Sequence, residues 1–271
     1  MPVDFFYKGL REEEHFYPYT PEQSAAKAKR TLYEAWFDLL KASPWYQAAM
    51  NAHVFESQAV ADCYEKFGDL RNVEFEDWWL KTGYQIFAER VRYEGVKAHK
   101  LEAKTSLKFS KKQNTAPKLV IEVPLNLDPR RLKEQFDEIL QKHSDLYETK
   151  FNRWNHSQAD VHFERDAKID YQTIKHWLSV YGYVNEKRNS FGDGYPLYKV
   201  CRELKLSPYI EKNYSTSFAL DAEGKVYASN VVSDILKKIM PLMAHASEMR
   251  FPCTEDHPFL NVKKRGKRTE E

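Results

Sequence analysis

The sequence predicts a mainly α protein with a minor β element, and three observations carry that expectation. Apolar residues recur at three- and four-residue spacing along most of the chain. Helix starts are marked repeatedly by a capping residue placed directly before proline: Thr20-Pro21, Ser43-Pro44, Asp128-Pro129 and Ser207-Pro208. The best strand signal is a single β-branched run, Lys118–Leu125, halted by Pro124.

At 271 residues and 32.1 kDa the chain has room for one large domain or two small ones. Hydrophobic residues make up 42% and aromatic residues 14%, enough for a substantial core. Charged residues make up 30% and the mean hydropathy is −0.72, which implies a polar exterior. The net charge of +2 does not by itself demand nucleic acid or anionic lipid. Charge is concentrated locally instead. Seven lysines (97, 100, 104, 108, 111, 112 and 118) and one acid, Glu102, lie between Gly95 and Lys118. The tail adds Lys263, Lys264, Arg265, Lys267 and Arg268. Basic runs of this kind are ordinarily solvated, with phosphate contact as the functional alternative. Cys63, Cys201 and Cys253 are odd in number, far apart and in no CxxC pair, so neither a disulfide framework nor a structural zinc site is suggested. No signal-peptide layout or membrane-length apolar run is visible, so the expected location is cytoplasmic and no membrane contact is expected.

Residues 1–19 read as an arm that packs through Phe5, Phe6 and Tyr7. Thr20-Pro21-Glu22-Gln23 is a capping box. Ala25, Ala28, Leu32, Trp36, Leu39 and Leu40 then give one apolar stripe to about Lys41. Ser43-Pro44 opens a shorter helix with Trp45, Tyr46 and Met50, and a further helical pattern runs from about Phe55 to Lys66. Next come a Gly68-Asp69 turn and Asn72 as the expected N-cap. Phe75, Trp78, Trp79, Ile86 and Phe87 follow on one helical face. Twenty of the chain's 39 aromatic residues lie in residues 1–93, so the packing centre of the first part is expected there.

Residues 94–117 read as a linker or loop, with a strand or hairpin near 100–125. A helix from Pro129 follows, with Leu132, Phe136, Ile139, Leu140 and Leu146 on its buried face. The connector at 147–169 marks the expected boundary between an aromatic-rich domain, 1–150, and a helical bundle, 170–252. In the bundle, Tyr171, Ile174, Trp177, Leu178 and Tyr181 form one amphipathic helix, and residues 189–194 a loop. Leu197, Val200, Cys201 and Leu204 line a short helix, and Ser207-Pro208 starts the next turn. After an irregular 213–225, a long helix runs from about Tyr227 to Met249, and Pro241 should kink it. The basic tail 261–271 is expected to be disordered.

Glycine-loop, HExxH, nucleophile-elbow and kinase signatures are absent. Asp160, His162 and Glu164 would share one side of an extended segment and could bind a divalent ion, which gives a metal-dependent nuclease as one alternative; a solvated connector explains the same residues. The stretch Val200–Tyr214 carries part of a helix-turn-helix pattern. Against it, Lys205 stands where glycine commonly makes the turn, and Glu211 stands at a usually apolar position. If DNA is bound, Tyr209, Lys212 and Asn213 would meet it first. Lys237 and Lys238 are then available for phosphates, and Lys263, Lys264 and Arg265 add sequence-independent affinity.

Three blocks resemble a family of uncharacterised bacterial and phage- or prophage-associated proteins. They are Phe67-Gly68-Asp69-Leu70 with Phe75-Glu76-Asp77-Trp78-Trp79 and Ile86-Phe87; Val120–Leu125 with Phe136–Leu140; and Trp177–Tyr181 with Pro196-Leu197-Tyr198 and Val231–Lys238, ending at Arg250-Phe251-Pro252. The resemblance implies a mobile-element setting and a helix-turn-helix-like C-terminal region, and it implies no enzyme activity. The leading expectation is therefore a non-enzymatic DNA-binding or regulatory accessory protein of a phage or mobile element. Its partner would be double-stranded DNA, and no cofactor is called for. The alternative from another class is a structural factor that docks a protein partner, or a second copy of itself, through the aromatic N-terminal domain.

Overall fold

The computed structural model describes residues 7, 10, 19–89, 129–142, 157, 159–164, 168–214 and 220–260. Among these the protein is helical and no multi-residue strand forms. The strand or hairpin expected near 100–125 and the tail 261–271 lie outside the described residues.

The chain divides into two units, one of residues 1–92 with 153–271 and one of residues 93–152. In the second unit the described part is helix α7, Pro129–Lys142. It forms where the Asp-Pro signal places it, but Phe136 is 43% exposed rather than buried.

The first unit begins with α1 (Pro21–Ala28), whose N-cap Thr20 makes the full capping box with Gln23. The single stripe expected to run on to Lys41 is broken. Arg30 adopts a left-handed φ of 58°, and Thr31 restarts the chain as the N-cap of α2 (Leu32–Ala42). The Thr31 hydroxyl both donates to the Ala28 carbonyl (2.6 Å) and accepts from Tyr33 N–H, so one side chain serves both helix ends at the corner. Ser43 caps α3 (Pro44–Ala52), and Ser57 caps α4 (Gln58–Phe67).

After the Gly68 turn (φ 76°), Asn72 does not cap a helix. It takes a left-handed turn (φ 54°), a conformation its short amide tolerates, and the helix starts three residues later, at Phe75. That helix has an α-turn, α5 (Phe75–Trp78), a π-turn (Trp79–Gly83) and a last turn, α6 (Tyr84–Ile86). Both tryptophans are buried (Trp78 3% and Trp79 0% exposed). Gly83 makes this packing possible, because a Cβ there would stand 2.8 Å from Trp78 and 2.9 Å from Trp79 ring carbons.

Among the described residues from 168 on, four α-helices follow: α8 (Tyr171–Phe191), α9 (Leu197–Glu203), α10 (Pro208–Asn213) and α11 (Ala222–Ser247). α8 extends to Phe191, into the expected loop. α11 starts five residues before the expected position, because Asp221 caps the Gly224 amide (2.7 Å) and closes the first turn. Pro241 lies inside α11, which continues through it.

Two hydrophobic clusters organise this unit. The larger joins the aromatics of α2–α6 to Val161, Phe163, Ile174, Ile239, Leu242, Met243, Ala246 and Phe251. Trp36 sits in it with no exposed surface. Its ring meets those of Phe67, Phe87, Phe163 and Phe251, and its indole N–H donates to the Ala246 carbonyl (3.1 Å). The first and last thirds of the chain therefore share one core, and the boundary expected at 147–169 does not separate them. The smaller cluster comprises Val180, Val184, Val200, Cys201, Ile210, Leu220, Ala228 and Val232, all from α8–α11 except Leu220, which lies two residues before α11.

Candidate nucleic-acid interface

The smaller cluster positions α9 and α10. Val200 and Cys201 point inward from α9 and Ile210 from α10, each without exposed surface. Burial pushes the Cys201 thiol pKa up, so this cysteine acts as a small packing residue.

The turn between the helices follows from hydrogen bonding. Leu206 N–H donates to the Cys201 carbonyl (3.0 Å) and Lys205 N–H to the Arg202 carbonyl (3.1 Å), the pattern of a left-handed helix cap. Lys205 has a φ of 51°. It thus adopts the conformation for which glycine is favoured at such a turn, although it carries a side chain. Ser207 then caps α10 through the Ile210 amide, with Pro208 in the first turn.

Glu211, the second feature that counted against the pattern, is drawn sideways rather than inward. The Arg202 guanidinium donates to its carboxylate (3.1 Å) and to the Tyr214 carbonyl (2.7 Å), so one cation both pairs the acid and closes the end of α10.

Of the residues expected to touch DNA, Tyr209, Lys212 and Asn213 lie together on the exposed face of α10. The Asn213 amide donates to the Tyr209 carbonyl (2.8 Å). Tyr209 also meets Tyr227 of α11, ring centroids 5.2 Å apart. Tyr227 extends this face, and no sequence pattern pointed to it, because α11 was expected to start only there.

Lys237 and Lys238 are not part of it. They lie ten residues beyond Tyr227 on α11, about 15 Å along the helix axis. There Lys237 pairs with Asp234 (3.2 Å), and the Lys238 ammonium stands 5.6 Å from the Trp177 ring of α8. Lys263, Lys264 and Arg265 lie outside the described residues.

The alternative metal set does not assemble. Burial alternates along residues 160–164, and Val161 and Phe163 are the buried members (3% and 2% exposed). Backbone bonds from Val161 N–H to the Ile86 carbonyl and from Glu164 N–H to the Phe251 carbonyl, both 2.8 Å, hold that register. Asp160, His162 and Glu164 are consequently turned outward, with Glu164 3.5 Å from Arg250. Among the described residues no group of three or more His, Cys, Asp or Glu side chains could hold a metal ion.

Among the described residues of the N-terminal third, Phe67, Phe75, Trp78, Trp79 and Phe87 are buried, and the exposed large apolar side chains are Val54, Phe55 and Leu80. No described helix is long and apolar enough to cross a membrane. No protein-family model, curated protein or solved structure matches the chain.

Proposed function

We propose that this protein is a non-enzymatic DNA-binding or regulatory accessory factor, and that α10 is its reading element on double-stranded DNA. The observation that carries the reading is the α9–turn–α10 unit: two short helices on a common apolar core, joined at a left-handed residue, with a polar face turned outward. Lys212 supplies a phosphate contact. Tyr209 and Asn213 supply groups able to reach base edges. The pairing of Glu211 with Arg202 favours the reading further, because it holds that carboxylate against a guanidinium on α9. The resemblance of the Trp177–Tyr181, Pro196–Tyr198 and Val231–Lys238 blocks to phage-associated proteins supports a mobile-element setting.

The test is a duplex mobility shift across a salt series. Wild type should bind at low salt and weaken steeply as salt rises. Lys212→Ala should weaken binding to all sequences and reduce the slope of log affinity against log salt by about 1. Unchanged duplex mobility at low salt would refute the proposal.

A further inference from the structure

A second feature of the C-terminal helices shares no residue with α10. Phe191, the last residue of α8, is 69% exposed, the most exposed large apolar side chain among the described residues. Its ring lies 5.5 Å from that of Tyr195, with the planes 30° apart. Tyr183, Lys187 and Phe191 follow at four-residue spacing along one face of α8. The Lys187 ammonium stands 4.9 Å from the Tyr183 centroid, 5.8 Å from Phe191 and 6.0 Å from Tyr195. Lys199 of α9 brings a second ammonium within 5.8 Å of Tyr195.

The tyrosines are fixed in place from α9. Tyr183 donates its hydroxyl to one oxygen of Glu203 (3.0 Å) and Tyr195 to the other (2.8 Å). One carboxylate therefore anchors two rings by their hydroxyl ends, and two ammonium groups lie beside the ring faces.

We infer that Tyr183, Phe191 and Tyr195 with Lys187 and Lys199 form a stacking platform for an unpaired strand of nucleic acid. A purely apolar patch would suit many partners. Ammonium groups set beside the exposed Phe191 ring and the half-buried Tyr183 and Tyr195 rings instead suit a polymer that alternates flat rings with anions, whose bases stack on the aromatics while phosphates meet the lysines. An intact duplex cannot use such a platform, because its bases are already stacked on one another. Glu203 keeps its negative charge while accepting both tyrosine hydroxyls, and the two ammonium groups of Lys187 and Lys199 outnumber it.

The experiment is fluorescence anisotropy of the full chain with end-labelled dT15, U15 and a 20-base-pair duplex at low salt. Wild type should bind a single strand saturably, and the dT15 and U15 arms decide between DNA and RNA. Phe191→Ala should weaken that binding roughly fivefold or more, while Phe191→Trp retains it. Phe191→Ala should leave duplex binding unchanged, and Lys212→Ala should leave single-strand binding unchanged, so this inference and the duplex reading can fail separately. Because Phe191 is exposed, its removal should not disturb the fold, which an unchanged melting temperature checks. Equal single-strand affinity of wild type and Phe191→Ala, or no single-strand binding by wild type, would overturn the platform.

Discussion

The two hydrophobic clusters of the larger unit are built from different side chains and do different work. The larger is a lattice of rings. Trp79 stacks on Phe87 (5.7 Å, 16°), Phe67 on Trp78 (5.4 Å, 12°), and Trp36 joins rings from four separate stretches of chain. Rings of this size bury large areas and tie distant segments together, so they use up their own surface in packing. The buried members of the smaller cluster are valine, cysteine, isoleucine, leucine and alanine, and its rings, such as Tyr183 and Tyr195, are only partly buried at its edge. Small side chains let short helices approach closely and leave their outer faces free. Those faces carry Tyr209, Lys212, Asn213 and Tyr227 on one side and Phe191 on another. The dense aromatic motif is therefore spent on packing, whereas the modest cluster leaves polar and aromatic side chains of its short helices exposed.

The largest effect that separates the clusters should come from Trp36. Trp36→Ala removes a fully buried ring and its bond to the Ala246 carbonyl. It should cost about 3–5 kcal/mol in a denaturant titration. Because Trp36 ties the first third of the chain to α11, the signals of both regions should melt together. A variant in which only the N-terminal helices melt would break the picture of one shared core.

A smaller and more local effect is expected in the second cluster. Ile210→Ala should cost about 2–3 kcal/mol, near the lower end of the range for such truncations, because the site is small and close to the surface. Hydrogen exchange should rise in α9 and α10 and remain slow around Trp78 and Trp79. Equal loosening of both clusters would show that the smaller one has no independent identity.

The smallest effect concerns the turn. A side chain at φ 51° carries strain that glycine avoids, although glycine also loses more freedom on folding. Lys205→Gly should therefore raise stability by up to ~1 kcal/mol, read as a higher urea midpoint with an unchanged slope. A lower midpoint would mean that the Lys205 side chain contributes more than its backbone costs.

How much of this was legible in the sequence depends on the range of the interaction. Thr20, Ser43 and Ser207 all cap the helices they were expected to start, because a cap is satisfied within three or four residues. The apolar face of Phe75–Phe87 was legible for the same reason. The break at Arg30-Thr31 was not, since the apolar spacing continues through it and the hydroxyl bond to Ala28 leaves no composition signal. The shared core was not legible either. Trp36 and Ala246 are 210 positions apart, and periodicity shows that a helix has a buried face without naming what covers it. At the candidate site, Lys205 and Glu211 looked like departures from a helix-turn-helix. Backbone conformation and an Arg202 partner, both invisible in residue identity, make them compatible with one.

The central claim is that recognition lies on the α9–α10 face and not on the aromatic motif of the N-terminal helices. Amide chemical-shift mapping of the full chain against a 20-base-pair duplex at low salt tests it most directly. The prediction is that shifts concentrate at residues 205–213 and at Tyr227, with the amides of residues 75–87 unmoved. Shifts concentrated at residues 75–87, or no shifts at saturating duplex, would contradict it.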